Sequence, residues 1–203
     1  MKIIYFKKIG STQKYLLENI NKYKLPVCVW SDYQTHGIGS RGNSWIGKRG
    51  NLFFSFAQRL DEYKDVPIES FSVYFGWLFK KTLNDVGSKA VMKWPNDIYL
   101  IDKKPKKIGG VITNIKKNHL ICGIGLNTEF SPHKDFGCLD IEIKNDRILK
   151  SFFKRLKNRE SFESVIESFK KEFEYTKTYF GIEGRLGKEG ALIKNEKRVY
   201  SKR

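Results

Sequence analysis

Two apolar spacings alternate along the chain. Continuous or alternating apolar runs mark strands: KIIYF at 2–6, LPVCVWSDYQ at 25–34 and NLFFSFAQRL at 51–60. Helical spacing follows Ser11, a natural N-cap, where Leu16, Leu17 and Ile20 share one face. Residues 70–87 (SFSVYFGWLFKKTLNDVG) are apolar nearly all round and end at Gly87, as a long, mostly buried helix should. Residues 90–101 (AVMKWPNDIYLI) read as one strand interrupted by Pro95, leading into the lysine-rich turn DKKPKK. IGGVITNIKK and NHLICGIGLNTEF read as a hairpin pair. Residues 149–159 and 162–180 are amphipathic, the second with Phe162, Val165, Ile166, Phe169 and Phe173 on one stripe. The tail 184–203 reads as one or two small strands. The pattern predicts an α+β fold with a mixed or antiparallel sheet and few helices.

Length and composition narrow the class. A chain of 203 residues with 40% hydrophobic and 14% aromatic content suits one sizeable globular domain, or one with a small appendage. Lys and Arg outnumber Asp and Glu by 39 to 22, a net charge of +17 that attracts anions: nucleic acid, nucleotides or an acidic partner. The cations are spread along the chain, denser after residue 143, as on a solvated surface. Cys28, Cys122 and Cys138 have no C-x-x-C spacing, and His36, His119 and His133 are scattered. Reduced thiols and no protein-held metal are therefore expected. The N-terminus is too short and charged for a signal peptide, and no apolar run reaches the ~18 residues of a membrane span. A soluble, cytoplasmic protein without membrane attachment is the expectation.

Residues 37–42, GIGSRG, match G-x-G-x-x-G letter for letter. In a dinucleotide fold the third glycine opens a helix whose N-terminus holds the pyrophosphate. Here NSWIGKRGNLFFSF follows, with no helical periodicity, so that reading fails in its context. A glycine loop with exposed N–H groups and Arg41 beside it still suits an anionic ligand, as it also suits an ordinary surface turn.

Four further pieces stand in order with that loop: Ser11-Thr12-Gln13, Lys93-Trp94-Pro95-Asn96-Asp97, Lys107-Ile108-Gly109-Gly110 and Gly123-Ile124-Gly125-Leu126-Asn127. With Tyr33-Gln34 leading into the loop and Trp45 closing it, the chain resembles a biotin–protein ligase (biotin–[acetyl-CoA-carboxylase] ligase). The motifs cover about residues 3–130, and KWPND is the most specific of them.

The resemblance implies a catalytic domain like that of class II aminoacyl-tRNA synthetases over residues 1–180. A shortened, SH3-like β segment would follow over 181–203. With a catalytic strand at residue 2, it implies the monofunctional type without an N-terminal DNA-binding domain, and no specific DNA binding. The implied activity is attack of biotin's carboxylate on ATP to give biotinyl-5′-AMP, with Mg2+ expected. The biotinyl group then passes to a lysine of a biotin carboxyl carrier protein of acetyl-CoA carboxylase or a related enzyme.

By resemblance Lys107 and Asp97 are catalytic. Ser11, Thr12, Gln34, Gly37, Gly39, Arg41, Lys107, Gly109 and Gly110 would bind biotin. Arg41, Trp45, Lys93, Asn96, Lys107 and Asn127 would bind the nucleotide. Neutral hydrogen-bonding groups suit a ureido ring, and an aromatic ring offers adenine a flat partner, although Trp45 also fits a buried core position. Gln13 stands where the family usually has Asn and is set aside. The family's loop is commonly G-R-G-R-x-G-R, whereas this chain has Ile38, Ser40 and Asn43 at the second, fourth and seventh positions. Ser40 cannot supply the charge that helps retain the adenylate. Homodimerisation through a sheet edge, with a strand such as NLFFSF, is a further implication. Two other functions fit parts of the sequence: a lipoate–protein ligase of the same fold, and a basic nucleic-acid-binding module.

Overall fold

A computed structural model describes residues 1–200; residues 201–203, the end of the expected C-terminal segment, lie outside it. The elements run β1 (Lys2–Phe6), α1 (Thr12–Asn19), β2 (Val27–Ser31), β3 (Gly37–Ile38), β4 (Ser44–Trp45), β5 (Leu52–Arg59), α2 (Phe71–Asp85), β6 (Val91–Lys93), β7 (Asp97–Ile101), β8 (Pro105–Lys116), β9 (His119–Leu126), α3 (Asn145–Lys157), α4 (Phe162–Thr176), β10 (Arg185–Leu186), β11 (Leu192–Lys194) and β12 (Lys197–Val199). Seven strands form a mixed sheet in the order β1-β2-β5-β9-β8-β7-β6, parallel only between β1 and β2. Helices flank it on both faces, in agreement with the expected class.

Apolar burial assigns the faces. On α2, twelve of fifteen residues are buried, so it must be covered on more than one side. Phe75 and Phe79 pack on Phe56 and Phe54 of β5, Phe152 of α3 packs on the same two rings, and Phe169 of α4 packs on Trp77 of α2. On the other face Leu16 of α1 and Ile20 just after it are buried against Val27, Val29, Ala57 and Ile121. Ser11 caps α1 as expected, accepting from Lys14 N at 3.3 Å. Ser55, between Phe54 and Phe56, points to the α1 face because strand side chains alternate.

Three expectations change. Residues 90–101 form a hairpin, β6 and β7 pairing antiparallel around Trp94–Asn96, rather than one interrupted strand. Pro95 lacks an N–H for the ladder and lies in the turn, where none is required. NLFFSF cannot offer a free edge: β5 lies inside the sheet between β2 and β9, and its first six residues are buried. The edges are β1 and β6. The tail forms three short strands instead of one or two, in the order β10-β11-β12. Trp94 Nε1 donates to Gly190 O at 2.9 Å, and Ser70 Oγ donates to Glu189 O, so the chain leading into β11 is tied to the β6–β7 turn and the start of α2.

No helix among the described residues is long and apolar enough to cross a membrane. The three cysteines are free, and burial pushes the thiols of Cys28 and Cys122 far up, leaving them protonated.

Candidate active site

A cavity of about 340 Å³ opens on the α1 face of the sheet. Its floor is backbone, because Gly110, Gly123 and Gly125 carry no side chains there. A Cβ on Gly125 would fall 2.6 Å from Trp45 Cε2, and one on Gly110 would fall 3.2 Å from Trp45 Cζ3. The indole therefore rests against the glycine strands, and its seat depends on their being glycines.

Lys107 reaches this cavity through an irregularity. Gly110 and Ile112 face the site and Val111 faces the core, so regular alternation would aim Ile108, not Lys107, into the cavity. The β7–β8 register shifts between Ile98 and Tyr99, pairing Ile98 with Gly109 and Tyr99 with Lys107. This bulge inserts Ile108 as an extra residue, fully buried in the core. Lys107 consequently shares a face with Gly110, where its Nζ lies 2.6 Å from Asp97 Oδ1 and 5.6 Å from the Trp45 ring centre.

The opposite end of the cavity is polar and neutral. Thr12 N and Oγ1 donate to Gln34 Oε1 at 2.7 and 3.0 Å, and Thr12 Oγ1 lies 2.9 Å from Ser55 Oγ. Ser11, Thr12 and Gln34 are each more than nine-tenths buried. The cavity thus runs from uncharged donors and acceptors at the start of α1 to an ammonium beside a carboxylate on β7 and β8.

The glycine loop is a hairpin: β3 pairs with β4, Gly39 N donates to Asn43 O at 2.7 Å, and the tip is one short turn at Ser40–Gly42. No helix follows it, as the sequence implied. Arg41 and Gly42 take φ of 58° and 77° at the tip. Ile38, Gly39 and Ser40 line the cavity, whereas Arg41 is exposed and borders a smaller groove beside Thr113 and Asn114. Gly37 closes the hairpin: a Cβ there would fall 2.5 Å from Trp45 O.

Of the expected residues, Ser11, Thr12, Gln34, Gly39, Trp45, Asn96, Asp97, Lys107, Gly110 and Asn127 line this one cavity. Gly37, Arg41, Lys93 and Gly109 do not. Gly109 packs against Gly125 O, which a Cβ would approach to 3.0 Å. Lys93 points its ammonium at the rings of Tyr99 and Phe180, 5.4 and 5.3 Å from their centres. Burial, aided by the Asp97 charge, pushes the Tyr99 phenol up to about 12. Asn96 donates from Nδ2 to Val111 O at 2.7 Å, and Val111 N returns a bond to Asn96 O. Asn127 is fully buried, accepting from Asn51 at 3.3 Å and donating to Gly137 O at 3.1 Å. Its amide holds the following loop against the site.

Sequence reasoning missed four groups: Gln13, Ser55, the Gly123–Gly125 floor as contact surface, and the loop carrying Pro132, His133 and Phe136. Ser55 had a signal, as a polar residue within an apolar strand. The loop had none, since long-range bonds bring it to the site: Gly137 N donates to Lys107 O at 2.9 Å and Asn127 Nδ2 donates to Gly137 O at 3.1 Å.

Residues 5–127 match the family model described as Biotin/lipoate A/B protein ligase family. The Bifunctional ligase/repressor BirA of Salmonella typhimurium is 31% identical over 126 residues, covering 59% of this chain and 38% of that protein. The match thus spans less than two thirds of that relative's length. Among solved structures, the biotin acetyl coenzyme A carboxylase synthetase of Helicobacter pylori with bound biotinylated ATP superposes with a TM-score of 0.89 at 34% identity, covering 98% of this chain and 99% of that one. The biotin protein ligase of Aquifex aeolicus in complex with biotin and ATP shares the fold, with a TM-score of 0.77 at 23% identity over 98% of this chain and 94% of that one.

Proposed function

The chain belongs to the biotin/lipoate A/B protein ligase family, and on that premise we propose that it is an ATP-dependent biotin–protein ligase. The single observation that carries the proposal is the placement of Lys107 and Asp97 in the same cavity as the neutral cluster of Ser11, Thr12 and Gln34. A bicyclic urea fits the neutral end, and a carboxylate and a phosphate fit the cationic end. In the first step a carboxylate oxygen of biotin attacks the α-phosphorus of ATP and pyrophosphate leaves. In the second, the amine of a carrier-protein lysine attacks the acyl carbon, AMP leaves and the amine loses a proton.

Both steps bring electron-rich groups together, so fixed positive charge and orientation dominate the rate. Lys107 binds the carboxylate and the α-phosphate oxygens and lowers the repulsion between them. Asp97 orients the ammonium. Trp45, seated on Gly125 and Gly110, covers the reacting end and limits water there. The β3–β4 hairpin closes over the ligand with Gly39 backbone and Ser40. Arg41, exposed at the tip, and Lys93, held over two rings, serve the nucleotide only if their side chains move on binding.

Magnesium would be held chiefly by phosphate oxygens, with Asp97 the carboxylate available to join them. The described residues contain no cluster of three His, Cys, Asp or Glu ligands, and Asp97 is already paired with Lys107, so the lining does not by itself make a metal site. The acceptor is a biotin carboxyl carrier protein, residues 1–180 are the catalytic unit and the strands after residue 181 form the small β segment. The deciding measurement is biotin-dependent exchange of pyrophosphate into ATP, with lipoate as the control. Exchange supported by lipoate and not biotin would transfer the assignment to lipoate ligation.

A further inference from the structure

The loop after β9 brings a base to the cavity. Among the described residues, three titratable side chains line it: Asp97, Lys107 and His133. As an ammonium Lys107 has no lone pair to offer, and it engages Asp97 Oδ1 at 2.6 Å. His133 remains, and imidazole is the side-chain base suited to proton transfer near neutral pH.

The fold holds this residue at the cavity mouth. Asn51 Oδ1 anchors the start of the loop, accepting from Glu129 N and Phe130 N, both at 3.0 Å. Gly137 N closes the far end on Lys107 O at 2.9 Å. Between these ends the His133 carbonyl accepts from Ser131 Oγ at 2.6 Å and from Phe136 N at 3.0 Å. The side chain is 59% exposed, so it meets both the cavity and bulk solvent. Asp135 Oδ2 lies 3.0 Å from His133 Nδ1. A carboxylate offers only lone pairs, so Nδ1 carries the hydrogen and the neutral ring keeps its lone pair on Nε2. The Asp135 amide, 3.4 Å from the same nitrogen, is too distant to compete.

The two half-reactions differ in their need for such a group. A carboxylate attacks phosphorus with no proton to shed, whereas an acceptor lysine must lose one, and it arrives from solvent. We propose that His133 is a catalytic residue of the transfer step, its Nε2 taking the proton of the acceptor lysine at the cavity mouth. The amine nitrogen bonds to the acyl carbon as its proton passes to Nε2. The carbon–oxygen bond to the phosphate breaks, its electron pair leaves with AMP, and the imidazolium gives the proton to water. The proposal rests on the biotin ligase reading and adds to it a residue outside the expected site.

Single-turnover transfer from supplied biotinyl-5′-AMP to a biotin carboxyl carrier domain of acetyl-CoA carboxylase, set beside biotin-dependent pyrophosphate exchange, tests it. His133→Gln should slow transfer by about 10²-fold, and its exchange should fall by no more than about a tenth of that factor. Imidazole added to His133→Ala should restore transfer and not exchange. Hydroxylamine, an amine already uncharged at neutral pH, should be acylated by His133→Gln nearly as fast as by wild type. Equal losses in transfer and exchange would show that His133 holds a ligand rather than a proton, and undiminished transfer would show that another group is the base. Either result overturns the proposal. A wild-type protein with no biotin-dependent exchange overturns the ligase reading, and the proposal with it, and is told apart by the wild-type assay alone.

Discussion

Lys107 Nζ and Asp97 Oδ1 lie 2.6 Å apart in the cavity wall, each side chain about one quarter exposed (24%). Because the pair is only partly buried, it adds little to stability, about 1 kcal/mol or less. On the proposed reading its value lies in holding one ammonium still where two anions must meet. Lys107→Ala should reduce biotin-dependent pyrophosphate exchange by about 10²- to 10³-fold, with the circular dichroism spectrum unchanged. Near-normal exchange would remove Lys107 from the site.

Gly125→Ala tests the floor. A methyl there would fall 2.6 Å from Trp45 Cε2, so the indole must leave its seat or the strand must shift. Exchange activity should fall at least about ten-fold, a positioning loss. A variant with full activity would show that Trp45 need not rest on Gly125 for catalysis.

Ser40 and Ile38 line the cavity where the family's loop commonly carries arginines. With no charge from either position, the protein should release biotinyl-AMP and label bystander lysines. Ser40→Arg should reduce that labelling several-fold without lowering the exchange rate. Mass spectrometry of an added inert protein reads the outcome, and labelling of the carrier alone by wild type would contradict the prediction.

Trp94 belongs to KWPND, yet its indole N–H is committed to Gly190 O rather than to the cavity. Trp94→Phe removes that bond and should cost about 1 kcal/mol, lowering the melting temperature by about 2–4 °C. Proteolysis should quicken after residue 180 first, because the contact ties the small sheet down. An unchanged digestion pattern would mean that Ser70 and the apolar contacts suffice.

Asp65 pins the start of α4, accepting from Arg159 at 2.7 Å and from Phe162 N at 3.0 Å. Burial raises its pKa, but the Arg159 bond and the Phe162 amide outweigh it, and the net value lies below the ordinary 3.8. A carboxyl lowered in the folded state stabilises above the unfolded value and loses that contribution as pH falls through the folded one. Wild type should exceed Asp65→Asn in urea midpoint at neutral pH, and the gap should close as pH falls below the ordinary carboxyl value and through the lowered folded one. A gap that persists in acid would place the effect elsewhere.

Local signals in the sequence settled the element types: the long buried helix, the amphipathic pair, the β8–β9 hairpin and the cap at Ser11 follow from periodicity and capping chemistry that neighbouring residues decide among themselves. The failure of the dinucleotide reading was legible too, since no helical period follows Gly42. Most of the residues that the resemblance selected then proved to share one cavity.

What it could not decide depends on which strands become neighbours. Pairing, not composition, placed NLFFSF in the middle of the sheet and split residues 90–101 into two strands. The bulge that turns Lys107 into the cavity exists only in the register of β7 against β8. The orientation of the Gln13 amide likewise waits on distant partners: Asn114 and Ile121, a hundred or so residues away in sequence (separations of 101 and 108), take both hydrogens of its amide and fix where its oxygen points. Periodicity reports how a residue is disposed on its own element; only packing between elements decides which polar atoms are left for a ligand.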